Sequence, residues 1–185
     1  MKKMTHDEIL LWLEADEAKS RPYRVQRIEM LLDRFGNDGY MQFFGGIVSA
    51  QAFEEMRLAF LNGLYISCVV VSQIIIEHLL AGMFSMTGRE DLEGAGFQKL
   101  ITEALAAELI SQEEFEELDH LRNLRNPYTH SKPMMHQSCF VRRAAEANVH
   151  PFDLFKQDAE TALDIVSGLL LRYPFSVSDE AAEEY

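Results

Sequence analysis

The chain has 185 residues, 48% of them hydrophobic and 25% charged, which is too apolar for a disordered chain and fits one domain with a small appendage. A formal charge of -13 excludes a broad basic surface for nucleic acid, because phosphate contacts supply most of such affinity. The charge is segregated, however: His120 to Ala145 holds Arg122, Arg125, Lys132, Arg142 and Arg143 with no acid, so this stretch carries +5 and the remainder -18.

In chain order, Lys2 and Lys3 precede an apolar stretch broken by Glu14 and Asp16, so no signal-peptide core is present and a cytoplasmic location is expected. "THDE", Thr5 to Glu8, is a capping box that opens a helix expected to run to about Lys19. Pro22 suits the first turn of a second helix and Gly36 its stop. "GNDGYMQFFGG", Gly36 to Gly46, reads as a loop with aromatic anchors, and residues 1–46 together read as an N-terminal helical extension.

Ala50 to Leu61 and Leu64 to Met86 have helical periodicity and meet at Asn62-Gly63, which predicts a helical hairpin, although one long kinked helix would satisfy the same pattern. The strongest apolar run, Leu64 to Phe84, is long enough to span a bilayer. Gln73, Glu77 and His78 interrupt it, so a buried core helix is expected and no membrane contact. Cys68 lies in this run as a small hydrophobe and forms no pattern with Cys139, in keeping with a reducing compartment. Gly88 to Gly96 is glycine- and acid-rich, a loop before a short helix ending near Leu109.

"SQEE", Ser111 to Glu114, is a second capping box. Its helix places Glu113, Glu114, Glu116 and Glu117 in the first turns and Arg122 and Arg125 in the expected last turn, the polarity that the helix dipole favours. Pro127 is expected to end or kink it. Further helices are expected at about Ser138 to Asn148 and Phe152 to Arg172, the last with a stripe of Phe152, Phe155, Ala159, Leu163, Val166 and Leu170 before Pro174. The predicted class is all-α, an up-and-down helical bundle over 47–175 with a frayed acidic tail at 176–185.

Within "RNLRNPYTH", Arg122 to His130, the residues Arg125, Asn126 and His130 form Arg-Asn-x-x-x-His at a helix end. Together with "LNGLYISCVVVSQIIIEHLL", Leu61 to Leu80, which precedes it, this motif makes the chain from about Gln51 to Arg172 resemble the HEPN (higher eukaryotes and prokaryotes nucleotide-binding) superfamily. Pro127 and Lys132 depart from the toxin-type pattern, which has Tyr at the latter place.

The resemblance implies a helical bundle, commonly dimeric, in which two copies of the motif face one cleft and cleave RNA without metal. His130 would then move the proton of the attacking 2′-hydroxyl, since imidazole titrates near neutral pH. Arg125 would hold the equatorial oxygens of the phosphorane through its forked donors. Arg122, Asn126 and Lys132 would bind the substrate, and Glu77 would orient an arginine. No cofactor or metal is expected, because His120, His130, His136 and Cys139 match no zinc-site spacing. The expected partners are RNA or a nucleotide, a second copy of the chain and an inhibitory protein. The alternative is a non-catalytic module for dimerisation, nucleotide binding or protein interaction, favoured by the -18 that would repel generic RNA.

Overall fold

The computed structural model describes residues 4–36, 45–92, 94–131, 133, 136 and 139–172. Among them are seven α-helices, one 3₁₀ turn and no strand, so the protein is an all-α helical bundle. It divides into two compact units, Met1–Asn37 and Asp38–Tyr185. The aromatic loop after Asn37, the acidic tail and Lys132 lie outside the described residues.

The first unit is α1, His6–Phe35. Its capping box forms as the sequence requires: the Glu8 amide donates to Thr5 Oγ1 at 3.3 Å and the Thr5 amide to Glu8 Oε2 at 2.7 Å. The expected break before Pro22 does not occur, and one helix continues through it to Phe35. Pro22 has no N–H for the Ala18 carbonyl, but both residues are exposed, so water can donate to that carbonyl in place of the missing N–H. The Glu17–Arg21 ion pair, 3.4 Å, bridges the same turn.

The second unit is built around its most apolar helix. α2 (Gly46–Leu61) turns at Asn62-Gly63 into α3 (Tyr65–Met86), the hairpin the sequence predicts. α3 packs against α2, α4 (Phe97–Ala106), α5 (Gln112–Thr129) and α7 (Pro151–Arg172), while α6 (Phe140–Ala147) packs on α7. A helix contacted on several sides must be apolar almost all round. Cys68, Val69, Ile75, Ile76, Leu79, Leu80 and Phe84 of α3 are accordingly buried. By length and composition α3 could cross a membrane; here it is the helix on which α2, α4, α5 and α7 pack. Burial pushes the Cys68 thiol up to about 12, so it stays protonated as a core side chain.

Where α2 begins, Gly45 meets α3 so closely that a Cβ would stand 2.7 Å from the His78 carbonyl carbon and 2.6 Å from Ser49 Cβ. Backbone cannot yield cheaply at such a distance. Gly45→Ala is therefore expected to lower stability by about 1–3 kcal/mol, read as a fall in thermal midpoint. An unchanged midpoint would mean that the two helices do not approach as described.

α5 and α7 run antiparallel and are tied at both ends. At the start of α5 the Ser111 capping box forms, the Ser111 amide donating to Glu114 Oε2 at 2.6 Å, and Arg172 Nη1 lies 3.1 Å from the same buried carboxylate. At the far end Tyr128 donates to Asp158 Oδ2 at 2.7 Å, while Arg143 of α6 grips Asp158 with two nitrogens at 2.8 and 2.6 Å. Tyr128, Phe140 and Phe155 stack around this network. This anchoring explains a second difference from the sequence expectation: α5 does not end at Pro127 but continues to Thr129, with His130 as its C-cap. Arg122 and Arg125 consequently lie before the last turn, which contains no basic residue.

Candidate anion-binding cleft

An open cleft of about 620 Å³ lies between the middle of α3, the start of α4 and the second half of α5. α5 contributes Arg122, Arg125 and Asn126, which the three- and four-residue spacing of a helix sets on one face. α3 contributes Gln73 and Glu77, one turn apart. α4 contributes Lys99, Glu103 and its own N-terminus at Gly96.

Most of these groups have a partner already. Arg122 donates to Asp119 at 2.8 Å, and Glu103 accepts from Arg89 at 3.1 Å. Glu77 accepts from Gln73 Nε2 at 2.7 Å, so it reaches the same cleft as the arginines but bonds to neither among the described residues. That bond also fixes the Gln73 amide, because the flipped form would set oxygen against carboxylate. Gln73 Oε1 has no donor among the described residues although the residue is only 3% exposed.

Arg125 is the complementary case. Its Nε is buried, and among the described residues no acceptor meets it. A buried guanidinium nitrogen without an acceptor is costly, and the Arg125 side chain lines the cleft. The start of α4 adds to this. Gly96 supplies no capping side chain, and the positive end of the helix dipole faces the same space.

His130 is elsewhere. Five positions beyond Arg125 is about 140° further round a helix. The His130 ring is exposed and does not line the cleft, while its amide donates to the Asn126 carbonyl at 3.0 Å. The structure thus brings Arg122, Arg125, Asn126 and Glu77 together and leaves His130 on another side of α5. Lys132 lies outside the described residues.

A second Arg-to-His spacing, Arg143 with His150, is structural. Arg143 serves Asp158, and His150 Nδ1 accepts the Phe152 amide at 3.3 Å at the start of α7. Among the described residues no three His, Cys, Asp or Glu side chains converge as a metal requires.

Two parts of the site are not visible in the sequence: the start of α4 and the unsatisfied oxygen of Gln73. The only signal for the latter is a polar residue in an apolar helix one turn from Glu77. Comparison with protein-family models, with curated proteins and with solved structures found no match to this chain.

Proposed function

We propose that this chain is a HEPN-like RNA-cleaving protein, acting without metal as a homodimer in the cytoplasm, in which Arg125 holds the scissile phosphate and His130 moves the proton. The observation that carries the reading is the Arg125 guanidinium, facing an open cleft with a buried Nε that has no acceptor among the described residues. The substrate's 2′-hydroxyl loses its proton to His130 and its oxygen bonds to phosphorus. The bond to the 5′-oxygen breaks, and that oxygen takes a proton from water, leaving a 2′,3′-cyclic phosphate and a 5′-hydroxyl. A forked cation suits the phosphorane, whose added charge lies on the equatorial oxygens.

Because His130 and Arg125 lie on different sides of α5, the imidazole that reaches a phosphate on Arg125 comes from the second copy. Two such motifs facing one another make two positive ends and two imidazoles, enough charge to attract a selected RNA to an acidic protein. The two free thiols, one of them buried, support a reducing compartment.

A second reading is favoured by His130 lying off the cleft. Arg125 Nε seeks an acceptor and Gln73 Oε1 a donor, and one nucleotide offers both, a phosphate oxygen and an amino or hydroxyl group. The protein would then bind nucleotides without cutting.

One experiment separates the two. Purified protein in EDTA is given an RNA oligonucleotide, the same oligonucleotide with 2′-deoxyribose at the cut, and a nucleotide. The enzyme is expected to release a 2′,3′-cyclic phosphate from the first and leave the second intact, and His130→Ala is expected to stop cutting while nucleotide binding persists. Binding without cutting by the wild-type chain establishes the second reading, and neither activity removes both.

A further inference from the structure

Glu77 takes no part in the phosphate chemistry, yet its carboxylate reaches the cleft that Arg125 lines. The other charged pairs there are closed: Arg122 is held by Asp119 and Glu103 by Arg89. Arg125 and Glu77 make no ion pair among the described residues. The two terminal nitrogens of Arg125 are neither bonded there nor buried, unlike its Nε. Glu77 Oε1 accepts from Gln73, while Oε2 makes no bond among the described residues and is not buried. The cleft therefore offers one free cationic fork and one carboxylate with an open oxygen.

The carboxylate is held in place at a cost. Gln73 is 3% exposed, and with its nitrogen on Glu77 its own oxygen has no donor among the described residues. A position that needed only packing would be better filled by Leu or Met, which bury no polar atom. What the glutamine adds is a fixed orientation for Glu77, and it occupies only one of about four lone-pair sites on that carboxylate.

A ligand that uses both free groups needs an anion for Arg125 and N–H donors for Glu77. A carboxylate accepts and cannot donate, so the bases differ in how they meet it. On its base-pairing edge guanine sets two donors side by side, N1–H and the N2 amino group. Adenine and cytosine set one amino donor beside a ring-nitrogen acceptor, and uracil one N–H between two carbonyls. Each of those three turns a lone pair toward the carboxylate. On the reading that Arg125 holds a phosphate, we propose that Glu77 selects guanine, accepting N1–H and the N2 amino group, with Gln73 as the residue that positions its carboxylate. The cleft, about 620 Å³, has the size of a small-ligand site.

The test is a binding titration of the full chain in EDTA with the 5′-monophosphates of guanosine, inosine and adenosine, and with an oligouridylate bearing one guanosine. Inosine keeps N1–H but lacks the amino group, so it should bind on the order of tenfold more weakly than guanosine, the loss of one hydrogen bond to a charged group. Adenosine should bind on the order of a hundredfold more weakly. Glu77→Gln should bring the guanosine and adenosine nucleotides within about threefold of each other, because an amide offers one acceptor and one donor. Gln73→Met should narrow the preference as well while its melting midpoint holds or rises, since the buried oxygen without a donor is gone. A Gln73 of purely structural use would lower the midpoint and leave the preference as it was, which overturns its positioning role. The oligonucleotide binding more tightly than the mononucleotide assigns the guanine to RNA, and equal affinity assigns it to a free nucleotide. Equal binding of guanosine and adenosine nucleotides by the parent overturns the inference, as does a guanine preference that survives Glu77→Gln. In either case Arg125→Ala should still weaken every nucleotide, so the phosphate reading stands apart; binding of none by the parent overturns both.

Discussion

Replacing Arg125 with alanine is expected to lower RNA cleavage on the order of 10²–10³-fold, the usual effect of removing one preorganised donor to a transition-state oxyanion. The same substitution should leave the thermal midpoint unchanged or slightly higher. Arg125 Nε has no acceptor among the described residues, so its removal breaks no bond there and relieves a buried donor. That combination, activity lost and stability kept, distinguishes a functional cation from a structural one. Arg125→Lys should restore little, because an ammonium cannot present two parallel donors to a phosphate. Arg122→Ala should have a smaller effect, since Arg122 is already bonded to Asp119. The measurement is single-turnover cleavage of one oligonucleotide in EDTA beside melting curves of the same samples. Cleavage by Arg125→Ala at the parent's rate would remove the cleft from the proposed mechanism.

What the sequence reveals here is mostly what is local. The capping boxes at Thr5 and Ser111 involve groups three residues apart, and both form as written. The hairpin at Asn62-Gly63 needs only a turn between two periodic stretches. The clustering of Arg122, Arg125 and Asn126 follows from helix geometry alone. The two prolines mislead because their rule is also local. Whether a helix survives a missing donor depends on what holds the next turn, and beyond Pro127 that is Tyr128 bonded to Asp158, thirty residues away. Arg143 comes to the same carboxylate from fifteen residues away, and nothing in its own neighbourhood marks it. The cleft divides along the same line. Its α5 face is readable, but the start of α4 arrives by tertiary packing, and the loop before it shows only glycines and acids.

The Asp158 network leads to the largest expected loss of stability. Asp158 is 3% exposed and accepts from Tyr128 and from both arms of Arg143. Asp158→Ala leaves a partly buried guanidinium and a partly buried phenol without their acceptor, which should cost about 3–5 kcal/mol, since breaking a buried pair from one side is far worse than never having it. At about 2–4 °C per kcal/mol for a chain of this size, the midpoint should fall on the order of 10 °C. Removing the partners together tests the cause: Asp158→Leu with Arg143→Met and Tyr128→Phe should recover much of the loss, because no unpaired polar group then remains. The network also sets an alkaline limit. Burial, and next its bond to Asp158, hold the Tyr128 phenol above its ordinary value of 10.0. A group whose pKa is raised on folding contributes fully below its unfolded value and loses that contribution as pH rises from there through its folded value. Stability should therefore decline above about pH 10, and more steeply in the parent than in Tyr128→Phe. Urea melts of the two proteins from pH 8 to 11 give the comparison. Parallel declines would show that the phenol does not titrate against the fold, and a midpoint unmoved by Asp158→Ala would show that the carboxylate is not buried among its three donors.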